Sequence, residues 1–312
     1  MAKNTFTLYE LQSLTPEEII HKIQHENYSL LTSLGAENLR KEMVPIGKVC
    51  HLVTNYFYDA KAKKDPRAKI IKALQKLAPA TYDKSKLPKD LDAGLVIGFN
   101  HPSLGEILRL ILLDFETLDG KPMLFPINLP WYESVAPDYE KLKSLGIIIT
   151  PTITPSTWKK LPLEDGSALY ETTKKLKRAF RDIYTDLSHE TIKNGGAILV
   201  APSATRQATV FKTKAVYDKT EDIIPTMSVL ALSLYQDPQM NCNFLPIAIL
   251  PPENYSRKLN LFKPYKLLPA PVMTASDIRK TYFKTKNPKR LDNFDYDFHL
   301  RLAHELPKKF WY

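Results

Sequence analysis

Five short apolar runs, most of them separated by enough chain for a helix, constrain this sequence more than any other feature. They are Leu95–Phe99, Met123–Ile127, Gly146–Thr150, Ala197–Ala201 and Phe244–Leu250. Each has the length of a strand, and each is continuously apolar rather than alternating, as in strands buried on both faces. Between the third and fourth runs lies a long amphipathic stretch, Ser167 to Asn194, which begins after Asp165-Gly166 and stops at Gly195-Gly196. Strands alternating with helices predict an α/β fold with a largely parallel central sheet flanked by helices. The chain has no internal repeat and no low-complexity tract.

Ahead of the first strand the pattern is helical. Thr15-Pro16-Glu17-Glu18 reads as a helix start, in which Thr15 caps, Pro16 suits the first turn and Glu18 completes a capping box. Ile19, Ile20, Ile23, Leu30 and Leu31 then form an apolar stripe that Gly35 ends. Further helical stretches run from Ala36 to Met43, Ile46 to Ala62 and Pro66 to Leu77, punctuated by Pro45 and Pro79. The Pro-, Lys- and Asp-rich segment Pro79 to Asp92 reads as a linker. The predicted organisation is an N-terminal helical domain with its linker, residues 1–92, and an α/β domain, residues 93–312. Tyr56, Phe57, Tyr58, Lys61, Lys63 and Lys64 form a basic and aromatic face. Packing against the sheet is the favoured reading for it, and contact with a membrane surface the other. The tail from Phe294 to Tyr312 reads as a docked or a membrane-touching helix.

At 312 residues the chain can bury a sizeable core. Cys50 and Cys242 cannot build a disulfide framework and stand in no metal-ligand spacing, so a reducing cytosol is expected. Residues 1–12 have no apolar core of signal-peptide type, and no apolar run approaches the ~20 residues that span a bilayer. Any membrane contact is therefore expected to be peripheral. The net charge of +10 favours an anionic partner. Its basic residues are scattered, without the aromatic-basic signature of a single-strand platform or a zinc-finger spacing, so nucleic acid is not expected.

The candidate chemistry sits where the first strand meets a helix. Gly98-Phe99-Asn100-His101-Pro102-Ser103-Leu104-Gly105-Glu106 follows the first apolar run and precedes a second, Ile107 to Leu113. In open α/β sheets the carboxyl ends of strands hold the ligand. A histidine and a carboxylate astride such a turn can hydrogen-bond. The carboxylate then fixes the imidazole tautomer and stabilises the imidazolium formed when His101 takes a proton. No metal or cofactor is needed, only a hydroxyl and an electrophile.

This segment resembles the first motif of the glycerolipid acyltransferases, the superfamily of glycerol-3-phosphate and 1-acylglycerol-3-phosphate acyltransferases. Its usual form is Asn-His, four residues, then Asp, with Glu in some relatives. Three further blocks resemble the family's others in order: Leu145–Thr150, Gly195–Arg206, and Phe244–Ile249 with its internal Pro246. The resemblance covers about Leu95 to Leu268. It implies transfer of a fatty acyl group from acyl-CoA or an acyl carrier protein to a hydroxyl of a glycerolipid or related acceptor. It makes His101 the general base and Glu106 its partner, with oxyanion donors from backbone around Ala201 to Ala204. Asn100, Ser103, Ser203, Thr205 and Arg206 are the implied substrate-binding residues, Arg206 as a phosphate fork. An anionic membrane surface is a further candidate partner, and phospholipid biosynthesis the implied context.

The sequence also departs from the family pattern. Glu106 stands for Asp, and Thr150-Pro151-Thr152 follows the second block, where an Arg is usual. Ser203 and Ala204 replace Glu and Gly in the third block. The altered residues are those that hold the acceptor's polar head. Two alternatives follow: a lipid-binding descendant without catalysis, and a hydrolase or thioesterase on the same site. Ser203 as a nucleophile lacks the Gly-x-Ser-x-Gly elbow.

Overall fold

In the computed structural model the described residues are 3–61, 66–88, 93–103, 105–117, 121–203, 207–255, 261–283 and 289–312. Seven strands occur among them: β1 (Ala80–Thr81), β2 (Gly94–Phe99), β3 (Met123–Asn128), β4 (Ile147–Thr152), β5 (Ala197–Val200), β6 (Cys242–Leu250) and β7 (Tyr265–Pro269). The protein is α/β, with largely parallel strands flanked by helices. Each expected apolar run is a strand, with its ends matching to within two residues. β1 and β7 were not anticipated.

The chain forms two compact units, and neither is continuous in sequence. One comprises Met1–Lys64 and Leu124–Leu187, the other Asp65–Met123 and Ser188–Tyr312. A boundary at residue 92 does not coincide with this division, because the N-terminal helices cluster with β3, β4 and their connections rather than by themselves.

In the first unit, the capping box predicted at Thr15 forms. The Thr15 amide donates to Glu18 Oε2 at 2.7 Å, and the Glu18 amide donates to Thr15 Oγ1 at 3.2 Å. The helix that follows, Pro16–His25, is shorter than its apolar stripe suggests. The chain turns at Asn27, in the left-handed region with φ 59°, and Leu30 and Leu31 belong to a separate short helix, Leu30–Ser33. Asn tolerates that conformation because its short polar side chain offsets part of the strain. Glu133 is buried beneath this second helix, accepting from Ser29 Oγ at 2.6 Å and the Leu31 amide at 2.8 Å. Burial pushes its carboxyl above the ordinary range, against these hydrogen bonds. Pro45, expected to divide two helices, lies inside one, Glu37–Lys61. On that helix Phe57 is buried, whereas Tyr56 and Tyr58 are exposed, as is Leu52 one turn earlier. Lys63 and Lys64 fall outside the described residues.

The second unit is built around β2, whose six residues are all buried. It pairs in parallel with β5 on one side (Gly98 opposite Val200) and β6 on the other (Phe99 opposite Ile247). β7 runs antiparallel to β6 and parallel to β1, giving the order β1-β7-β6-β2-β5. The segment read as a linker therefore contributes an edge strand, although residues 89–92 fall outside the described set. Two β2 glycines are required by packing. A Cβ on Gly94 would stand 2.5 Å from Ile192, and one on Gly98 would stand 2.4 Å from the Phe298 ring. Phe298 belongs to helix Lys289–His304, so the tail is docked, with Phe294, Phe298 and Leu302 buried. From the same helix, Asp295 accepts from the Met227 and Ser228 amides at 2.7 and 3.2 Å, satisfying donors at the start of helix Thr226–Tyr235. No helix among the described residues is long and apolar enough to cross a membrane.

Candidate active site

The site lies in the second unit at the carboxyl end of β2, where the strand gives way to helix Glu106–Thr117. Asn100 is the first residue beyond the strand and is 3% exposed. Its amide nitrogen donates to Ala208 O at 2.8 Å and Ile249 O at 3.0 Å, while its Oδ1 accepts from the Ile249 amide at 2.6 Å. Asn100 thus ties β2 to the end of β6 and to the chain beyond the third block. Both of its amide hydrogens and its carbonyl oxygen serve backbone groups.

His101 follows, with its side chain 15% exposed, and its Nδ1 is hydrogen-bonded to Glu106 Oε1. Its ring meets Phe99 edge-on, centroids 6.2 Å apart. Glu106 is fully buried and is the first residue of its helix, where the aligned peptide dipoles favour a negative charge. Its second oxygen, Oε2, accepts from Ser103 Oγ at 2.9 Å. Ser103 is itself buried and accepts in turn from Tyr265 OH at 3.1 Å and the Gly105 amide at 3.2 Å. A relay therefore runs from Tyr265 through Ser103 and Glu106 to His101. Ser103, read as a substrate contact, is spent inside it.

Arg109 supports the relay from one helical turn beyond Glu106. Its guanidinium lies 3.8 Å from the centroid of the Tyr265 ring, and it donates to Pro79 O at 3.2 Å and Lys263 O at 2.7 Å. Burial lowers its pKa to about 10, against the pull of Tyr265 and Glu106, so it remains cationic at neutral pH. Arg109 and Tyr265 were not singled out from the sequence. Arg109 carried a readable signal, since it is the lone charge between Glu106 and Asp114 in an apolar helix, on the face of Glu106. Tyr265 carried none, because its place depends on β7 returning antiparallel beside β6.

The remaining candidates lie around the third block. Because Val200 pairs with Gly98, Ala201 to Ser203 leave the sheet at the same edge as His101. Ser203 lines a small cavity with Gln207, Phe211 and His299. His299 is bonded through Nδ1 to Asp295 O at 2.7 Å, and burial lowers its pKa to about 4. Thr205 and Arg206, with Ala204, fall outside the described residues. Another hydrogen-bonded histidine–carboxylate pair, His51 with Asp138 at 2.8 Å, occurs in the first unit. Its members are far apart in sequence, so spacing gave no sign of it. Both thiols are unsuited to nucleophilic work, burial raising Cys50 to about 11 and Cys242 further still.

Fold and site together define an α/β protein with a buried histidine–carboxylate relay at a strand-to-helix junction. No protein-family model matches the chain, and none of the curated proteins matches it.

Proposed function

We propose that the protein is an acyltransferase of the glycerolipid type, moving a fatty acyl group from an acyl thioester to the hydroxyl of a glycerolipid or related acceptor. The observation that carries this reading is the placement of Glu106 on Nδ1 of His101. A carboxylate there takes the Nδ1 proton in a hydrogen bond and leaves Nε2 as the basic nitrogen. Nε2 removes the proton of the acceptor hydroxyl as its oxygen attacks the thioester carbonyl. The carbon–sulfur bond then breaks, and the thiolate leaves with the proton held by the imidazolium. Glu106 balances the cation formed in between, and Ser103 with Tyr265 hold Glu106 in place. The base contributes roughly 10²–10⁴-fold in rate. Oxyanion donors are assigned to backbone amides from Ala201 onward, and acceptor or donor phosphate to Arg206. Acyl-CoA or acyl carrier protein is the co-substrate, and action at a membrane surface from the cytoplasmic side is part of the reading.

The test is thiol release from long-chain acyl-CoA and from acyl carrier protein, with a panel of hydroxyl acceptors, for wild type and His101→Ala. Acceptor-dependent release that falls at least a hundredfold in the variant is expected. Turnover of the variant within tenfold of wild type removes His101 from the mechanism. Release without acceptor makes the site a thioesterase.

A further inference from the structure

Four of the chain's cations share one helix face. Helix Ala168–Lys193 carries Lys174, Lys177, Arg178 and Arg181, at relative positions i, i+3, i+4 and i+7. That spacing puts all four on one face. With Thr152, Ile153 and Tyr184 they line a cleft of ≈ 470 Å³ in the first unit. The opposite stripe of the helix, Thr173, Leu176 and Phe180, is buried. Like charges three and four residues apart repel, and the cleft lining contains no carboxylate to offset them.

Acids do touch two of the cations from outside the cleft. Glu171 lies 3.7 Å from Lys174 and Asp182 lies 3.4 Å from Arg181, both pairs well exposed and therefore weakly binding. Lys177 and Arg178 have no carboxylate within ion-pair distance among the described residues. Lys177 instead stands 5.1 Å from the centroid of the Trp158 ring, and Trp158 packs edge-on against Tyr170. The volume is that of a small-molecule site. Its walls combine two ammonium groups and two guanidinium forks, which is the donor set that recognises ionised phosphate oxygens.

We propose that this cleft binds a phosphate-bearing ligand, with Arg178 and Arg181 gripping phosphate oxygens and Lys174 and Lys177 supplying the compensating charge. The inference stands on the first unit alone and does not depend on acyl transfer at His101. Because Lys177 lies against Trp158, occupancy alters the environment of that indole, so tryptophan fluorescence reports it directly.

The test is titration of the full chain with inorganic pyrophosphate, with glycerol 3-phosphate and with phosphatidylcholine vesicles with or without phosphatidic acid, at low and at physiological ionic strength. Binding is read by fluorescence and confirmed by calorimetry. Saturable binding to at least one phosphate probe is expected, weakened by salt. In Arg178→Gln/Arg181→Gln, both exposed positions whose loss leaves the core untouched, affinity falls by about tenfold or more per arginine, the worth of a charge-assisted hydrogen bond. Lys177→Gln also loses affinity, and Trp158→Phe loses the fluorescence change while binding persists by calorimetry. A response only to phosphatidic acid vesicles assigns the ligand to a lipid headgroup, and a response to the soluble probes assigns it to a free organophosphate. Unaltered affinity in the double arginine variant, with its melting temperature unchanged, overturns the proposal, as does no binding to any probe at low salt. His101→Ala binds as wild type does, so a failure of the catalytic reading leaves this result intact.

Discussion

Ser103 should be the residue whose loss most disturbs the relay without touching its chemistry. Its hydroxyl donates to Glu106 Oε2 and accepts from Tyr265 OH and the Gly105 amide, all of it buried. Ser103→Ala removes the donor to a fully buried carboxylate and one partner of the Tyr265 hydroxyl. A hydrogen bond to a charged group contributes about 1.5–3 kcal/mol, and a further neutral hydrogen bond about 0.5–1.5 kcal/mol. Local relaxation recovers part of this, so a loss of about 2–4 kcal/mol is expected. Tyr265→Phe keeps the ring under Arg109 and leaves Ser103 with both its other bonds, so it should cost only about 0.5–1.5 kcal/mol. The double variant should then cost less than the sum, because the bond between Tyr265 and Ser103 can be lost only once. A coupling of about 1 kcal/mol is expected. Urea unfolding of the four proteins measures it, provided the slope with denaturant is unchanged. Under the proposed acyl transfer, turnover gives a second readout: Ser103→Ala lowers kcat with KM little changed, since Glu106 is left less well oriented behind His101. Additive costs, or a Ser103→Ala loss below about 0.5 kcal/mol, would show that the hydroxyl does not hold the carboxylate.

Two further perturbations test the frame around the site. Gly98→Ala drives a methyl into the Phe298 ring and should cost about 1–3 kcal/mol by thermal or urea unfolding, while Phe298→Leu in the same background should restore part of the loss. His299 has a folded-state pKa of about 4 against an ordinary value near 6.5, so between these values the unfolded chain binds a proton that the folded chain does not. Its contribution is complete above pH 6.5 and declines as pH falls toward 4, by up to about 3 kcal/mol. His299→Gln should therefore flatten the fall of stability across that window, and an equally steep fall in the variant refutes the assignment.

The sequence was most legible where a single local rule decides the outcome. Continuous apolar runs became strands because only a strand buried on both faces suits them, and Thr15 with Glu18 formed their capping box because both partners lie within one turn. His101 and Glu106 were legible for the same reason, being astride one turn. Pro45 misled because tertiary packing kept the helix going despite a lost backbone hydrogen bond. Asn27 misled because an apolar stripe read across it, while the backbone enters the left-handed region there, between two separate helices. Tyr265 and the Pro79 carbonyl reach the site only through the pairing of β7 with β6 and β1, a long-range arrangement that spacing does not encode. The mismatch at residue 92 has the same origin, since the N-terminal helices find their packing partners beyond residue 124.

The division of labour within the Asn100–Arg109 segment explains why a divergent third block does not by itself argue against chemistry at His101. Every polar side chain there other than His101 is buried and committed. Asn100 secures the strand end to β6, Ser103 and Tyr265 secure Glu106, and Arg109 secures Tyr265 and two loop carbonyls. None of these contacts involves Ser203, and Ala204, Thr205 and Arg206 lie outside the described residues. A fold that needed only stability at this junction would be served as well by apolar residues, because breaking even with a buried carboxylate requires several well-placed partners. Here the partners are in place, and among the described residues no hydrogen bond is made to Nε2 of the partly exposed His101. Under the proposed acyl transfer, the changed third block alters which hydroxyl is presented to that nitrogen. It leaves untouched the machinery that orients the imidazole and balances its charge.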